Sequence, residues 1–278
     1  MTPCYRGRFA PTPSGPLHLG SLVMALASWL DARYQQGEWL LRIDDLDPPR
    51  EVPCAADTIL RQLDAFALHW DGPVHYQSQR QHHYAAAVQQ LLNSGDAFYC
   101  RLSRKELEAL GNIHPGATLA TPCADDAAVR LAVPSTPVCF DDRFQGRQCC
   151  RLDQQEGAFV IQRRDGFYAY QLACALDDAD MAITDVVRGI DLLDSTPRQI
   201  HVLHCLKRTA PRYAHLPVVL DDNGKKLSKS CAAAEIKVDQ VPSTLEKALR
   251  LLNLEIEPST PEQMLRQALQ QWTVAKPA

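Results

Sequence analysis

No window of the 278 residues approaches the ~20 uninterrupted apolar positions that a membrane span needs. The N-terminus lacks the apolar core of a secretion signal as well, because Pro3, Arg6 and Arg8 fall where that core would lie. Internal repeats and low-complexity tracts are missing, which argues against a solenoid or a disordered tail. Excess positive charge is missing too. The formal net charge is -4, so a polyanionic partner must be held by local clusters of Lys and Arg rather than by the overall field. The ten cysteines are scattered through a chain far longer than disulfide-stapled secreted domains, and most are expected to be reduced packing residues. Together these absences lead to the expectation of a cytoplasmic protein without a membrane partner.

What is present is a large apolar fraction, 46%, enough for one large domain or two modest ones. Arg6 to Ala10 suits a short strand. After a Pro-Gly bend, Leu19, Leu22, Val23, Leu26, Ala27, Leu30 and Tyr34 recur at helical spacing, with Gly37 placed as a stop. Trp39 to Ile43 then gives an apolar run of strand length, followed by an acidic turn, Asp44, Asp45 and Asp47, closed by Pro48 and Pro49. Strand, helix, strand is a βαβ unit; it builds parallel sheets whose ligands lie beyond the carboxyl ends of the strands.

Helices are expected over Ala55 to Leu68 and Gln81 to Asn93. From Ala97 to Gly157 the runs are short and read as an insertion, with a capping-box helix start at Ser103 and Glu106 and a strand around AAVRLAV. Alternation returns with a hairpin signal at Asp165-Gly166, a helix from Tyr168 to Leu176, and a strand in MAITDVVRG. Thr196, Pro197 and Gln199 start another helix, and LPVVL reads as a strand ended by Asn223-Gly224. Two helices, Leu245 to Leu254 and Pro261 to Trp272, close the chain.

Three stretches carry chemistry. Pro13-Ser14-Gly15 leading into LHLGSL places a bend and a helix N-terminus after a strand, a seat for a phosphate, with His18 as a donor to it. Taken alone, the bend merely turns the chain and His18 is a surface residue. DDNGKKLSKS, Asp221 to Ser230, follows a tight turn with Lys225, Lys226 and Lys229, ammonium groups suited to a triphosphate; taken alone it is a solvated loop. Arg8, Asp44, Tyr170 and Arg188 fall at or near strand ends or at a helix start after a strand. Two arginines and one carboxylate match the two carboxylates and one ammonium of glutamate, unless they are surface ion pairs of little consequence.

The order and separation of these stretches decide among the readings. PLHLG resembles the HIGH signature of class I aminoacyl-tRNA synthetases, and KKLSKS resembles their KMSKS loop. RFAPTPSG with LRIDDLDPPR narrows the likeness to the glutamyl branch, and DDLDPPRE, FYAYQLA and VVRGIDLLDSTPRQ are similar to its truncated paralogues. That resemblance implies an α/β fold: a Rossmann-type parallel-sheet catalytic domain in two halves, 1–96 and 158–230. An α+β acceptor-type subdomain is inserted at 97–157, and a short helical C-terminal region, 231–278, leaves no room for an anticodon-binding domain.

The resemblance further implies that ATP, Mg2+ and L-glutamate bind, that the α-carboxylate attacks the α-phosphate, and that glutamate passes to queuosine in the anticodon loop of tRNA(Asp). Arg8, Phe9, Ala10, Pro11, Thr12, Asp44, Tyr170 and Arg188 would bind glutamate. His18, Gly20, Ser21 and Lys229 would bind ATP, and His18, Lys226 and Lys229 would be catalytic. A monomer is expected. Alternatives are a truncated synthetase charging tRNA(Glu), a small-molecule nucleotidylyltransferase, and a tRNA-binding module with a relic site. Arg143, Arg147, Arg151, Arg163 and Arg164 are candidates for phosphate contacts.

Three positions depart from the family pattern. Ser21 replaces the second histidine of HIGH, and Asp44 stands where Glu is usual. Zinc-binding relatives have a Cys-x-Cys pair followed by Tyr and Cys; here Cys100 is kept but Leu102, His114 and Thr118 occupy the other places. Cys100, His114 and Cys123 offer only three ligands where structural zinc takes four, so no zinc is expected.

Overall fold

The computed structural model describes residues 4–121, 126–217 and 235–272. In chain order the elements are β1 (Arg6–Phe9), α1 (Leu19–Tyr34), β2 (Glu38–Ile43), α2 (Ala55–Ala65), β3 (His75–Tyr76), α3 (Gln81–Ser94), β4 (Ala97–Cys100), α4 (Arg104–Ala109), β5 (Ala128–Leu131), β6 (Val138–Asp142), β7 (Gly146–Cys150), α5 (Leu152–Gln155), β8 (Phe159–Gln162), α6 (Tyr170–Asp180), β9 (Asp185–Gly189), α7 (Thr196–Cys205), β10 (Arg212–Leu216), α8 (Val241–Arg250) and α9 (Pro261–Gln271).

Strands β1, β2 and β3 form a parallel sheet in that order, and β9 pairs in parallel with β10, which pairs in parallel with β6. The two sheets meet edge to edge. The backbone N–H of Thr184, just before β9, donates to Arg6 O at 2.9 Å, and Arg6 N–H donates to Thr184 Oγ1 at 2.8 Å. Helix α1 crosses this seam buried on nearly all sides, as its apolar content requires, and α8 and α9 pack on it through Leu245, Leu249, Met264 and Leu265 in the same core. This is the doubly wound α/β arrangement in which ligands sit at the strand ends.

Some expectations shift in detail. The strand anticipated in LPVVL lies earlier, at Arg212–Leu216, and residues 218–220 are outside the described set. Gly37 closes the end of α1 as expected, its N–H donating to Ala32 O at 2.9 Å, and a Cβ there would meet Tyr5 O at 2.2 Å, so the close packing of β2's lead-in against β1's also calls for glycine. From the stretch read as inserted, β4 pairs antiparallel with β5, which pairs antiparallel with β8 beyond it, while the β6–β7 hairpin joins the parallel sheet through β10. The cysteines depart most from expectation: Cys139 and Cys149 form a disulfide across that hairpin, and of the free thiols among the described residues only Cys100 and Cys174 are buried.

Candidate active site

His18 is the N-cap of α1, held extended at φ -111 and ψ 170, with its Nδ1 accepting from the N–H of Ser21 at 3.2 Å. A cap acceptor on Nδ1 places the proton of the neutral ring on Nε2, at the positive end of the helix. Ser21 contributes through that backbone group, and Gly20 lies in the same first turn. The segment carrying Lys226 and Lys229 is outside the described residues. Its described flanks are informative: β10 ends at Leu216, and the chain re-enters at Glu235, which pairs as an antiparallel bridge with His18. Ile236 N–H donates to Leu17 O at 3.0 Å. The residues that follow the lysine-rich stretch are thus hydrogen-bonded to the segment that carries His18.

Between β1, β2 and α6 lies a buried charge cluster. Arg8 is 4% exposed and grips Asp178 with Nε (3.1 Å) and Nη2 (3.4 Å). Arg42, fully buried in β2, donates to Asp178 at 2.6 Å, to Asp44 at 2.6 Å and to Cys174 Sγ at 3.4 Å. Burial alone would raise the pKa of Asp178, yet the two guanidiniums hold it at about 2. Asp44 is the opposite case: burial raises it to about 6 even though Arg42 pulls it down. Arg8 and Asp44, expected to face a ligand, are therefore already engaged within the protein. Phe9 turns its ring into the core, stacked on Trp39 at 6.3 Å, whereas Ala10, Pro11 and Thr12 stay half-buried where Asp44 N–H meets Pro11 O at 3.0 Å.

Arg188 and Tyr170 do come together, with Nη1 donating to the Tyr170 hydroxyl at 3.5 Å, and Tyr170 lies within electrostatic reach of Asp44 and Arg8. Arg188 is 5% exposed, yet its partners are all neutral: His215 Nε2 at 3.0 Å, Thr196 Oγ1 at 2.8 Å, Leu192 O at 3.4 Å, and the face of Tyr213 at 5.4 Å. No carboxylate pairs with it among the described residues. A buried guanidinium without a counter-ion is costly unless an anion arrives to meet it. Arg42, Asp178, Thr196, His215 and Asp142 were missed in the sequence. The available signal was a charged residue inside an apolar strand run, which must find a partner when buried.

The five arginines considered for phosphate contacts are each beside a carboxylate: Arg143 with Asp31, Arg147 with Asp141, Arg151 with Asp153, Arg163 with Asp165 and Arg164 with Asp126. Arg143 is spent inside the fold, since Asp31 also accepts from Tyr5. Cys100 Sγ and His114 Nε2 lie 3.2 Å apart, and burial lowers His114 to about 4. Cys123 is outside the described residues.

The family model for the catalytic domain of class I tRNA synthetases (E and Q) matches residues 5–254. A Glutamyl-Q tRNA(Asp) synthetase of Pseudomonas putida is 50% identical over 273 residues, covering 96% of this chain and 91% of that protein. One of Pseudomonas aeruginosa is 53% identical over 253 residues, covering 91% and 86%. Among solved structures, a glutamate tRNA ligase from Elizabethkingia meningosepticum superposes with a TM-score of 0.81 at 24% identity. That match covers 97% of this chain, which spans 65% of the ligase's length. Glutamate-tRNA synthetase of Elizabethkingia anophelis gives 0.81 at 23%, covering 99% and 68%.

Proposed function

The chain belongs to the class I tRNA synthetases (E and Q), and from that membership we propose that it activates L-glutamate with ATP and transfers it to queuosine in the anticodon loop of tRNA(Asp). The observation that carries the reading is Arg188, a buried cation whose described partners are all neutral and whose Nη1 lies beside Tyr170. It suits the γ-carboxylate of glutamate, because the α-carboxylate is consumed in the reaction. Asp44, the carboxylate of the cluster that Arg42 holds, takes the ammonium, and Ala10 to Thr12 line the wall.

In the first step an α-carboxylate oxygen forms a bond to the α-phosphorus of ATP, and the bond to the bridging oxygen breaks with its electrons leaving on pyrophosphate. His18, with its proton on Nε2 at a helix N-terminus, donates to the phosphate as charge moves onto it. Lys229 neutralises the departing pyrophosphate, and Lys226 assists. In the second step a hydroxyl of the queuosine cyclopentenediol attacks the acyl carbon; AMP leaves and an ester remains. Mg2+ travels with the nucleotide's phosphates; among the described residues no group of three or more His, Cys, Asp or Glu side chains is placed to hold a metal. The protein acts as a monomer in the cytoplasm.

Exchange of labelled pyrophosphate into ATP, measured with each amino acid in turn and no RNA, tests the first step. Exchange with glutamate alone is expected; exchange with a different amino acid, or none, would refute the reading.

A further inference from the structure

Arg188 on β9 and His215 on β10 are cross-strand neighbours in register, and β6 places Asp142 beside β10. Asp142 Oδ2 lies 2.6 Å from His215 Nδ1, while its Oδ1 accepts the backbone N–H groups of Phe144 (3.0 Å), Gln145 (2.9 Å) and His215 (3.1 Å). His215 is fully buried. On its far side, Nε2 faces Arg188 Nε at 3.0 Å and the Thr196 hydroxyl at 3.1 Å.

Donor inventory fixes the protons. Guanidinium nitrogen can only donate, so Nε2 of His215 must accept, and the ring proton sits on Nδ1, pointed at the carboxylate. Arg188 has five N–H groups. Nε goes to His215 and the Nη2 pair to Thr196 Oγ1 and Leu192 O, which leaves the Nη1 pair, engaged among the described residues only by the 3.5 Å contact to Tyr170. The edge of the guanidinium turned toward Tyr170 is thereby the edge kept for a ligand.

Resting on the glutamate reading above, we propose that Asp142 and His215 are positioning residues: the carboxylate selects the histidine tautomer, and the histidine pins Arg188 so that Nη1 is presented to the substrate carboxylate. Aspartate is required rather than a neutral amide. In Asp142→Asn the amide oxygen must keep the three backbone N–H groups, which turns the NH2 toward His215. Nδ1 then accepts and the proton moves to Nε2, where the Thr196 hydroxyl is in reach to take it, but an N–H now faces the N–H of Arg188 and no longer holds it. Burial independently keeps this ring from charging, lowering its pKa against the opposing pull of Asp142.

The test is steady-state pyrophosphate exchange on the full chain. Asp142→Asn is expected to raise KM for glutamate at least about tenfold, ~1.4 kcal/mol of binding, while KM for ATP and kcat change less than about threefold. His215→Gln, which keeps an acceptor opposite Arg188 Nε, is expected to retain tighter glutamate binding than His215→Leu. An unchanged glutamate KM in Asp142→Asn, or equal losses in the Gln and Leu variants, overturns the proposal. Thermal melts identify any variant that fails to fold, and the Gln/Leu comparison then decides. Arg188→Gln separates the two claims: if it raises glutamate KM while Asp142→Asn and His215→Gln leave it untouched, only the positioning role fails. If Arg188→Gln has no effect, the glutamate reading fails with it.

Discussion

The side-chain oxygen of Gln62 accepts the backbone N–H of Leu17 at 2.8 Å, and the same amide donates to Ile236 O at 2.9 Å. One buried residue of α2 thus joins the segment ahead of His18 to the segment that follows the lysine-rich stretch. Loss of such a clamp should displace both segments together. Gln62→Leu is expected to lower kcat for exchange roughly 10- to 100-fold, with a stability loss of about 1–3 kcal/mol from the orphaned backbone groups. Measuring kcat alongside a denaturant titration checks both.

Asp178 is shared by Arg8 and Arg42 in a site closed to water. Removing its charge strands the buried guanidinium of Arg8 and leaves Arg42 to Asp44 and the more distant Asp177, the costly way to break an ion cluster. Asp178→Asn should therefore destabilise by about 3–5 kcal/mol, read as a lower urea midpoint at unchanged slope.

Glutamate binding should depend on pH through Asp44, whose pKa burial raises to about 6. The protonated acid cannot pair with an ammonium, so KM for glutamate should climb as pH falls through about 6, and Asp44→Asn should flatten that limb. Stability moves the other way. The folded state holds this proton more tightly than the unfolded chain, so the contribution of Asp44 to stability is greatest below about pH 4 and declines as pH rises to about 6. Asp178 and Asp142, each held at about 2 against the opposing effect of burial, lose their contribution only as pH falls from about 4 towards 2.

The α1 cap and the lysine-rich stretch are assigned to one nucleotide. His18→Ala and Lys229→Ala should each reduce the exchange rate by roughly 10²–10³ while leaving KM for glutamate within about threefold. A selective rise in glutamate KM would place these residues in the wrong half of the site.

Much of this layout was readable in the sequence because local rules suffice for it. The helical spacing from Leu19 to Tyr34 and the apolar run into Ile43 identify the βαβ unit, and Arg188 and Tyr170, picked out at element ends, do lie side by side. What escaped was pairing at long range. Arg8 meets Asp178 across 170 positions, and Asp142 meets His215 across 73, so no window of sequence contains both partners. The expectation that Arg8 and Asp44 are held ready for a ligand missed that Arg42 and Asp178 engage them first. The hairpin disulfide escaped for the same reason as the register of β6 and β7: the facing of Cys139 and Cys149 follows from the turn geometry, not from composition.

Transfer of labelled glutamate tests the central claim most directly. Incubated with glutamate and ATP, the protein is predicted to label tRNA(Asp) that carries queuosine and to leave unlabelled both tRNA(Asp) without queuosine and tRNA(Glu). Label on tRNA(Glu), with none on queuosine-bearing tRNA(Asp), would contradict it.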